Sequence, residues 1–132
     1  MRILFCSNYF THHQVSLSDA LYELTNHNYC FVAHKEMDAE RKNLGWGNDL
    51  VRPYTYSLTE QEVQEQMRDL DVLIVGSFPE SQTKKYSKKA KLFFRYSERP
   101  LKAGNPVLKY IPRFLRWHYY NPPLRKVYML CA

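Results

Sequence analysis

Apolar runs of strand length, separated by polar stretches with helical spacing, most constrain what this chain folds into. Ile3-Leu4-Phe5-Cys6, Tyr29-Cys30-Phe31-Val32-Ala33, Val72-Leu73-Ile74-Val75 and Val127-Tyr128-Met129-Leu130-Cys131-Ala132 carry no charged residue. A strand with one wet face alternates apolar with polar residues. One covered on both faces reads as a continuous apolar run, the pattern of parallel sheets flanked by helices. Leu92-Phe93-Phe94-Arg95 is a further strand of this kind, and Leu50-Val51-Arg52-Pro53 reads as a short edge strand, where proline's missing donor does little harm.

The intervening stretches read as helices. Thr11 with Gln14 three residues on is a helix start, and Val15, Leu17, Leu21, Tyr22 and Leu24 give that helix a sheet-facing side until Asn26-His27-Asn28 stops it. Ser57 with Glu60 and Thr59 with Glu62 are overlapping capping boxes for an acidic helix running to about Leu70. Ser81 to Ala90 reads as a basic helix. In 102–121, Val107, Tyr110, Ile111, Phe114, Leu115 and His118 recur at helical spacing. His34 to Asp49 is polar, with Gly45-Trp46-Gly47 as a turn that holds an indole against the core or, as the alternative, against a ligand. Strand and helix alternate, so the crossovers should be right-handed. The expected fold class is α/β: a Rossmann-like, doubly wound, mostly parallel sheet of about six strands.

At 132 residues the chain has room for one domain. It stops on a strand that a following helix would normally cover, so residues 1–132 read as an incomplete N-terminal domain of a longer protein, its C-terminal partner absent. No apolar run approaches the ~20 residues of a membrane span, and the N-terminus lacks the pattern of a cleaved leader. The expectation is a cytoplasmic protein. Cys6, Cys30 and Cys131 show no CxxC spacing and lie in apolar runs, as packing thiols do.

Charge is divided unevenly. Residues 1–83 hold 6 Lys and Arg against 12 Asp and Glu, and residues 84–132 hold 13 against 1. A basic last third points to an anionic partner and says nothing about fold.

The loop after the first strand, Asn8-Tyr9-Phe10-Thr11-His12-His13-Gln14, is the most chemically loaded in the chain. In open α/β sheets ligands bind beyond the carboxyl ends of the strands, where this loop should stand. GxGxxG, GxxxxGK[ST] and GxSxG are all missing, which argues against dinucleotide, P-loop and serine-hydrolase sites. The histidines are too scattered for a zinc set, so no metal is expected. His12 or His13 is suited to act as a general base, since imidazole titrates near neutral pH; the alternative is that both only hydrogen-bond backbone or water. Glu80 and Glu98, just after strands, are candidates to orient the imidazole.

The stretches Ile3-Leu4-Phe5, Ser7-Asn8-Tyr9, His12-His13-Gln14, Ala20-Leu21-Tyr22-Glu23-Leu24, Asp71 to Ser77 and Phe94-Arg95-Tyr96-Ser97-Glu98-Arg99 together resemble the N-terminal, acceptor-side domain of bacterial GT-B glycosyltransferases of the family 1/family 4 type. The resemblance implies two Rossmann-like domains facing across a cleft. The first holds a hydroxyl acceptor, such as a saccharide or glycolipid of the cell envelope, and the absent second mainly holds a nucleotide-sugar. That donor is a co-substrate, and no cofactor is implied. In related enzymes a G-H-x-x-P-L loop supplies the base. Here its His falls on His13 and its Leu on Leu17, while His12 and Ser16 replace the Gly and Pro. A retaining enzyme would not need such a base. The resemblance assigns His13 to the acceptor hydroxyl, Asn8 and His12 to the shape of the loop, and Ser77, Glu98 and Arg99 to the cleft wall.

Lys109, Arg113 and Arg116, with Lys84 to Lys91 and nearby aromatics, form a candidate patch for an anionic membrane surface; a solvated helix face is the alternative. No nucleic-acid-reading motif is present, so no nucleic-acid partner is expected. The runner-up reading is a stand-alone flavodoxin-like regulatory or binding module, and a basic RNA-binding domain comes third.

Overall fold

The computed structural model describes residues 1–45, 50–57, 61–97 and 127–131. The apolar runs are strands: β1 (Ile3–Ser7), β2 (Tyr29–Ala33), β4 (Val72–Val75), β5 (Leu92–Ser97) and β6 (Val127–Cys131), with a two-residue β3 (Thr55–Tyr56). Every pairing is parallel and the order is β3-β2-β1-β4-β5-β6. Phe5 stands between Phe31 on β2 and Ile74 on β4, which fixes the register at the centre of the sheet.

Both faces are covered, as the unbroken apolar runs require. Leu4, Cys6, Val32, Leu73, Val75 and Phe93 join Val63, Met67, Leu70 and Tyr86 in one core. These last four come from α3 (Gln61–Gln66), the 3-10 turn Met67–Asp69 with Leu70 after it, and α4 (Glu80–Ser87). The alternate positions Ile3, Phe5, Tyr29, Phe31, Val72 and Ile74 face the other way, against Leu17, Leu21 and Tyr22 of α1 (His12–Leu24). Successive strand side chains point to opposite faces, so one run of five residues feeds two cores.

Sequence expectation and structure part in several places. The edge strand is Thr55–Tyr56 rather than 50–53. Arg52 is engaged in a turn: its carbonyl accepts from Thr55 N–H at 3.1 Å and from Thr55 Oγ1 at 2.8 Å, and its Nε donates to Asp19 on α1 at 3.2 Å. The polar stretch after β2 contains a short helix, α2 (Ala39–Asn43), opened by Asp38, whose Oδ1 accepts from Arg41 N–H at 3.0 Å. A capping aspartate and one turn of helix leave no long periodicity to detect. The helix expected to reach Leu70 tightens to a 3-10 turn at Met67, and the basic helix is Glu80–Ser87. Leu24, expected on the sheet-facing side of α1, is exposed; Ser18 occupies the buried centre and accepts from the Tyr29 hydroxyl at 2.8 Å. The capping boxes that depend on Thr59 and Glu60, Trp46 with Gly47, and the proposed helix in 102–121 lie outside the described residues.

The start of α1 follows expectation, with the Gln14 Oε1 accepting from Thr11 N–H at 2.8 Å. Its end does too, since Asn26 and His27 adopt left-handed φ values of 50° and 66° that turn the chain into β2. Among the described residues no helix is long and apolar enough to cross a membrane.

Candidate functional site

Because the strands run parallel, the loops leaving β1, β2 and β4 all stand at one edge. Two backbone hydrogen bonds stitch the first pair together: His34 N–H donates to the Ser7 carbonyl and Lys35 N–H to the Asn8 carbonyl, both at 2.9 Å. Asn8 is held further by its own side chain, whose Oδ1 accepts from Tyr9 N–H at 2.9 Å and from Ser7 Oγ at 3.3 Å. This local Asx-type bonding shapes the loop before α1 begins.

Between β1 and β4 the backbones come close. Gly76 N–H donates to the Cys6 carbonyl at 2.8 Å, and a Cβ on Gly76 would lie 2.8 Å from Ser7 Oγ. A side chain here would meet buried Ser7, which occupies the space beside the glycine. Above it, Phe78 from the loop after β4 meets the His34 ring edge-on at 5.5 Å. Beside β5, Arg95 Nη2 donates to Glu80 Oε2 at 2.7 Å. Glu80, a candidate to orient a histidine, is thus engaged by a guanidinium through Oε2.

The open space lies on the other side. A cleft of about 830 Å³ is bounded by Tyr9 and Phe10 after β1, by His34 to Met37 after β2, by Lys42 of α2, and by Leu50, Val51 and the end of β3. Phe10 is anchored on the core, 4.6 Å from the Phe31 ring and 6.0 Å from Tyr54. Tyr54 is fixed in turn by its hydroxyl on Asp19 Oδ1, and burial followed by that carboxylate pushes the phenol well above its ordinary range. The Arg41 guanidinium lies 4.9 Å from the centre of the Tyr9 ring, a cation–π contact.

Comparisons with protein-family models, with curated proteins and with solved structures give no match. The site therefore stands on its own residues.

His12 and His13 open α1 with exposed rings 3.9 Å apart. Neither lines the cleft, although the loop that carries them supplies its Tyr9–Phe10 wall. Asn8 directly follows β1, and Ser77 lies two residues past the end of the adjacent parallel strand β4. Glu98, Arg99, Lys109, Arg113 and Arg116 lie outside the described residues. Among the described residues no cluster of His, Cys, Asp or Glu is arranged to hold a metal ion. Cys6 and Cys30 are buried reduced thiols, and burial, then the neighbouring Cys30, pushes the Cys6 thiol up.

The sequence reading missed the cleft residues Lys35, Lys42 and Tyr56. The available signal was their position: the segment after β2 is as close to the carboxyl edge as the segment after β1. Its ordinary polar composition hid it.

Proposed function

We propose that this chain is the acceptor-side half of a nucleotide-sugar glycosyltransferase of the GT-B type, and that the carboxyl edge around β1 and β2 receives the hydroxyl acceptor. The observation that carries the reading is the location of the 8–14 loop. It leaves a central strand of an all-parallel, two-face-covered sheet and forms one wall of a cleft of small-molecule size. The sequence resemblance supplies the chemistry, and the fold class is the one that resemblance implies. In this reading a second unit holds most of the nucleotide-sugar, and His13 takes the proton from the attacking hydroxyl if the reaction inverts the anomeric centre.

The strand order favours this reading over a flavodoxin-like sheet order. A 2-1-3-4-5 sheet has nothing beyond its second strand on that edge, whereas here β3 pairs with β2 through Phe31 with Thr55 and Val32 with Tyr56. That extra strand closes the far side of the cleft.

The test is sugar transfer by the complete protein, measured with a panel of labelled nucleotide-sugars and saccharide acceptors. Transfer is expected, and the His13→Ala variant should lower kcat by about 100-fold or more if His13 is the base. Absence of transfer from every donor overturns the enzyme reading, and transfer at an unchanged rate in His13→Ala removes the base assignment alone.

A further inference from the structure

Two stretches of chain that wall the cleft both lean on Tyr54. One is the segment 50–57, which contributes Leu50, Val51, Thr55, Tyr56 and Ser57; the other is the loop after β1, with Tyr9 and Phe10. Tyr54 belongs to the first stretch, is 1 % exposed, and accepts through its carbonyl from Phe31 N–H on β2 at 2.7 Å. Its ring meets the Phe10 ring edge-on at 6.0 Å and those of Tyr22 and Tyr29 at 5.1 Å and 5.3 Å. The backbone of one wall and the aromatic ring of the other therefore share a single residue.

Strand pairing alone gives the 50–57 wall little to hold on to. β3 is two residues long, stands at the end of the strand order and, among the described residues, pairs with β2 alone. So short an edge strand depends on side chains for its place. Two of them converge on Asp19 of α1, which does not itself line the cleft. Its Oδ1 accepts from the Tyr54 hydroxyl and from Arg52 Nε, the latter at 3.2 Å. The Arg52 carbonyl in turn closes the turn into β3 by accepting from Thr55 Oγ1 at 2.8 Å. One carboxylate oxygen thus fixes both the tip of a buried phenol and the residue that begins the turn.

An exposed ion pair of Asp19 with Arg52 would count for little by itself. The phenol changes the outcome, because a buried hydroxyl deprived of its acceptor must either leave the core or stay there unpaired. The Asp19 side chain is about half exposed, so removing it leaves no hole in the core. Its loss is felt where its hydrogen bonds end, at Tyr54 and Arg52.

We infer that Asp19 is a positioning residue for the cleft: through Tyr54 and Arg52 it holds the 50–57 wall against Phe10, and without it that wall loosens from β2 while the middle of the sheet stays closed. The inference concerns how the cleft is assembled and holds whichever ligand the cleft receives. A ligand touching both walls favours the held arrangement, so its binding and the Asp19 contacts support each other.

The experiment is amide hydrogen exchange on the full chain, followed by NMR. It compares Phe31 N–H, bonded to the Tyr54 carbonyl, with Gly76 N–H, bonded to the Cys6 carbonyl at 2.8 Å in the middle of the sheet. In Asp19→Ala the Phe31 amide should exchange about tenfold or more faster while the Gly76 amide stays within about twofold of wild type. Nuclear Overhauser contacts between the Phe10 and Tyr54 rings should weaken in the same variant. Tyr54→Phe keeps the ring and removes only the hydroxyl; it should move Phe31 in the same direction, and it carries the test if Asp19→Ala does not fold. Added to Asp19→Ala it should bring no further acceleration, since the hydroxyl then has no acceptor to lose. Unchanged exchange at Phe31, equal acceleration at Phe31 and Gly76, ring contacts that persist, or full addition of the two effects overturns the inference.

Discussion

The two sides of the sheet's carboxyl edge are finished in opposite ways. Among the described residues, the edge at β1, β4 and β5 is tied together: Gly76 lies against Ser7, Phe78 after β4 reaches His34 after β2, and Arg95 of β5 is tied to Glu80. From β1 across to β2 and β3 the loops stand apart, leaving a cleft whose floor is the Phe10 ring seated on Phe31. Open α/β sheets tend to hold ligands at the point where strand order reverses, here between β1 and β4. Among the described residues Ser7 stands against Gly76 at that point, and a cleft opens beside it between the segments after β1, β2 and β3.

The contrast is sharpest if tested by removing what fills each side. On the open side, Phe10→Ala strips the cleft of its floor and the core of a half-buried ring. About 2–4 kcal/mol of unfolding free energy should be lost, read from urea denaturation, and saccharide binding should go with it. A cost under about 1 kcal/mol with binding retained would mean that Phe10 is not the floor. On the closed side, Gly76→Ala forces a methyl group against Ser7 and should cost about 1–3 kcal/mol. Ser7→Gly added to it should recover most of the loss, because the clash partner is then gone. A pair of variants whose costs simply add would show that the two residues do not meet.

The smallest effect belongs to the opposite edge of the sheet. Asp71 accepts from Lys91 Nζ at 2.6 Å and from Arg2 N–H at 2.8 Å, joining the beginnings of β1, β4 and β5. The Lys91 hydrogen bond, then that from Arg2, holds the carboxyl below its ordinary 3.8, while Lys91 is raised above 10.5 chiefly by Asp71. A lowered carboxyl stabilises the fold above its unfolded value and loses that contribution as pH falls through the folded one. A raised amine contributes below its unfolded value and loses it as pH rises through the folded one. Asp71→Asn should therefore lower Tm slightly across the neutral range, and thermal scans of variant and wild type should converge in acid. Exposed pairs are screened by salt, so the difference should also shrink in concentrated salt.

Much of the architecture was legible because it depends on burial. Runs such as Val72-Leu73-Ile74-Val75 have no polar face to offer, so they announce strands covered on both sides and the parallel sheet that goes with them. Thr11 with Gln14 announced the start of α1 through local hydrogen bonding alone. What stayed hidden depends on contacts distant in sequence. Arg52 looked like part of a strand until Asp19, 33 positions earlier, was seen to hold it in a turn. Nothing in the sequence marks Ser7 as the neighbour of Gly76, and only the register of β4 against β1 brings the two together. Asn8, His12 and His13 were chosen by residue type, and their placement at the carboxyl edge followed from strand direction. Lys35, Lys42 and Tyr56 were overlooked because no motif marks them; they border one cleft from three separate segments of the chain.

Cys6 and Cys30 sit on the paired central strands β1 and β2, sealed from water. A thiol reagent can reach them only during excursions that part those strands. Their labelling rate in a Cys131→Ser background is thus a native stopwatch for the opening of the middle of the sheet, and it will register whether an occupied cleft slows that opening without any probe being attached to the cleft itself.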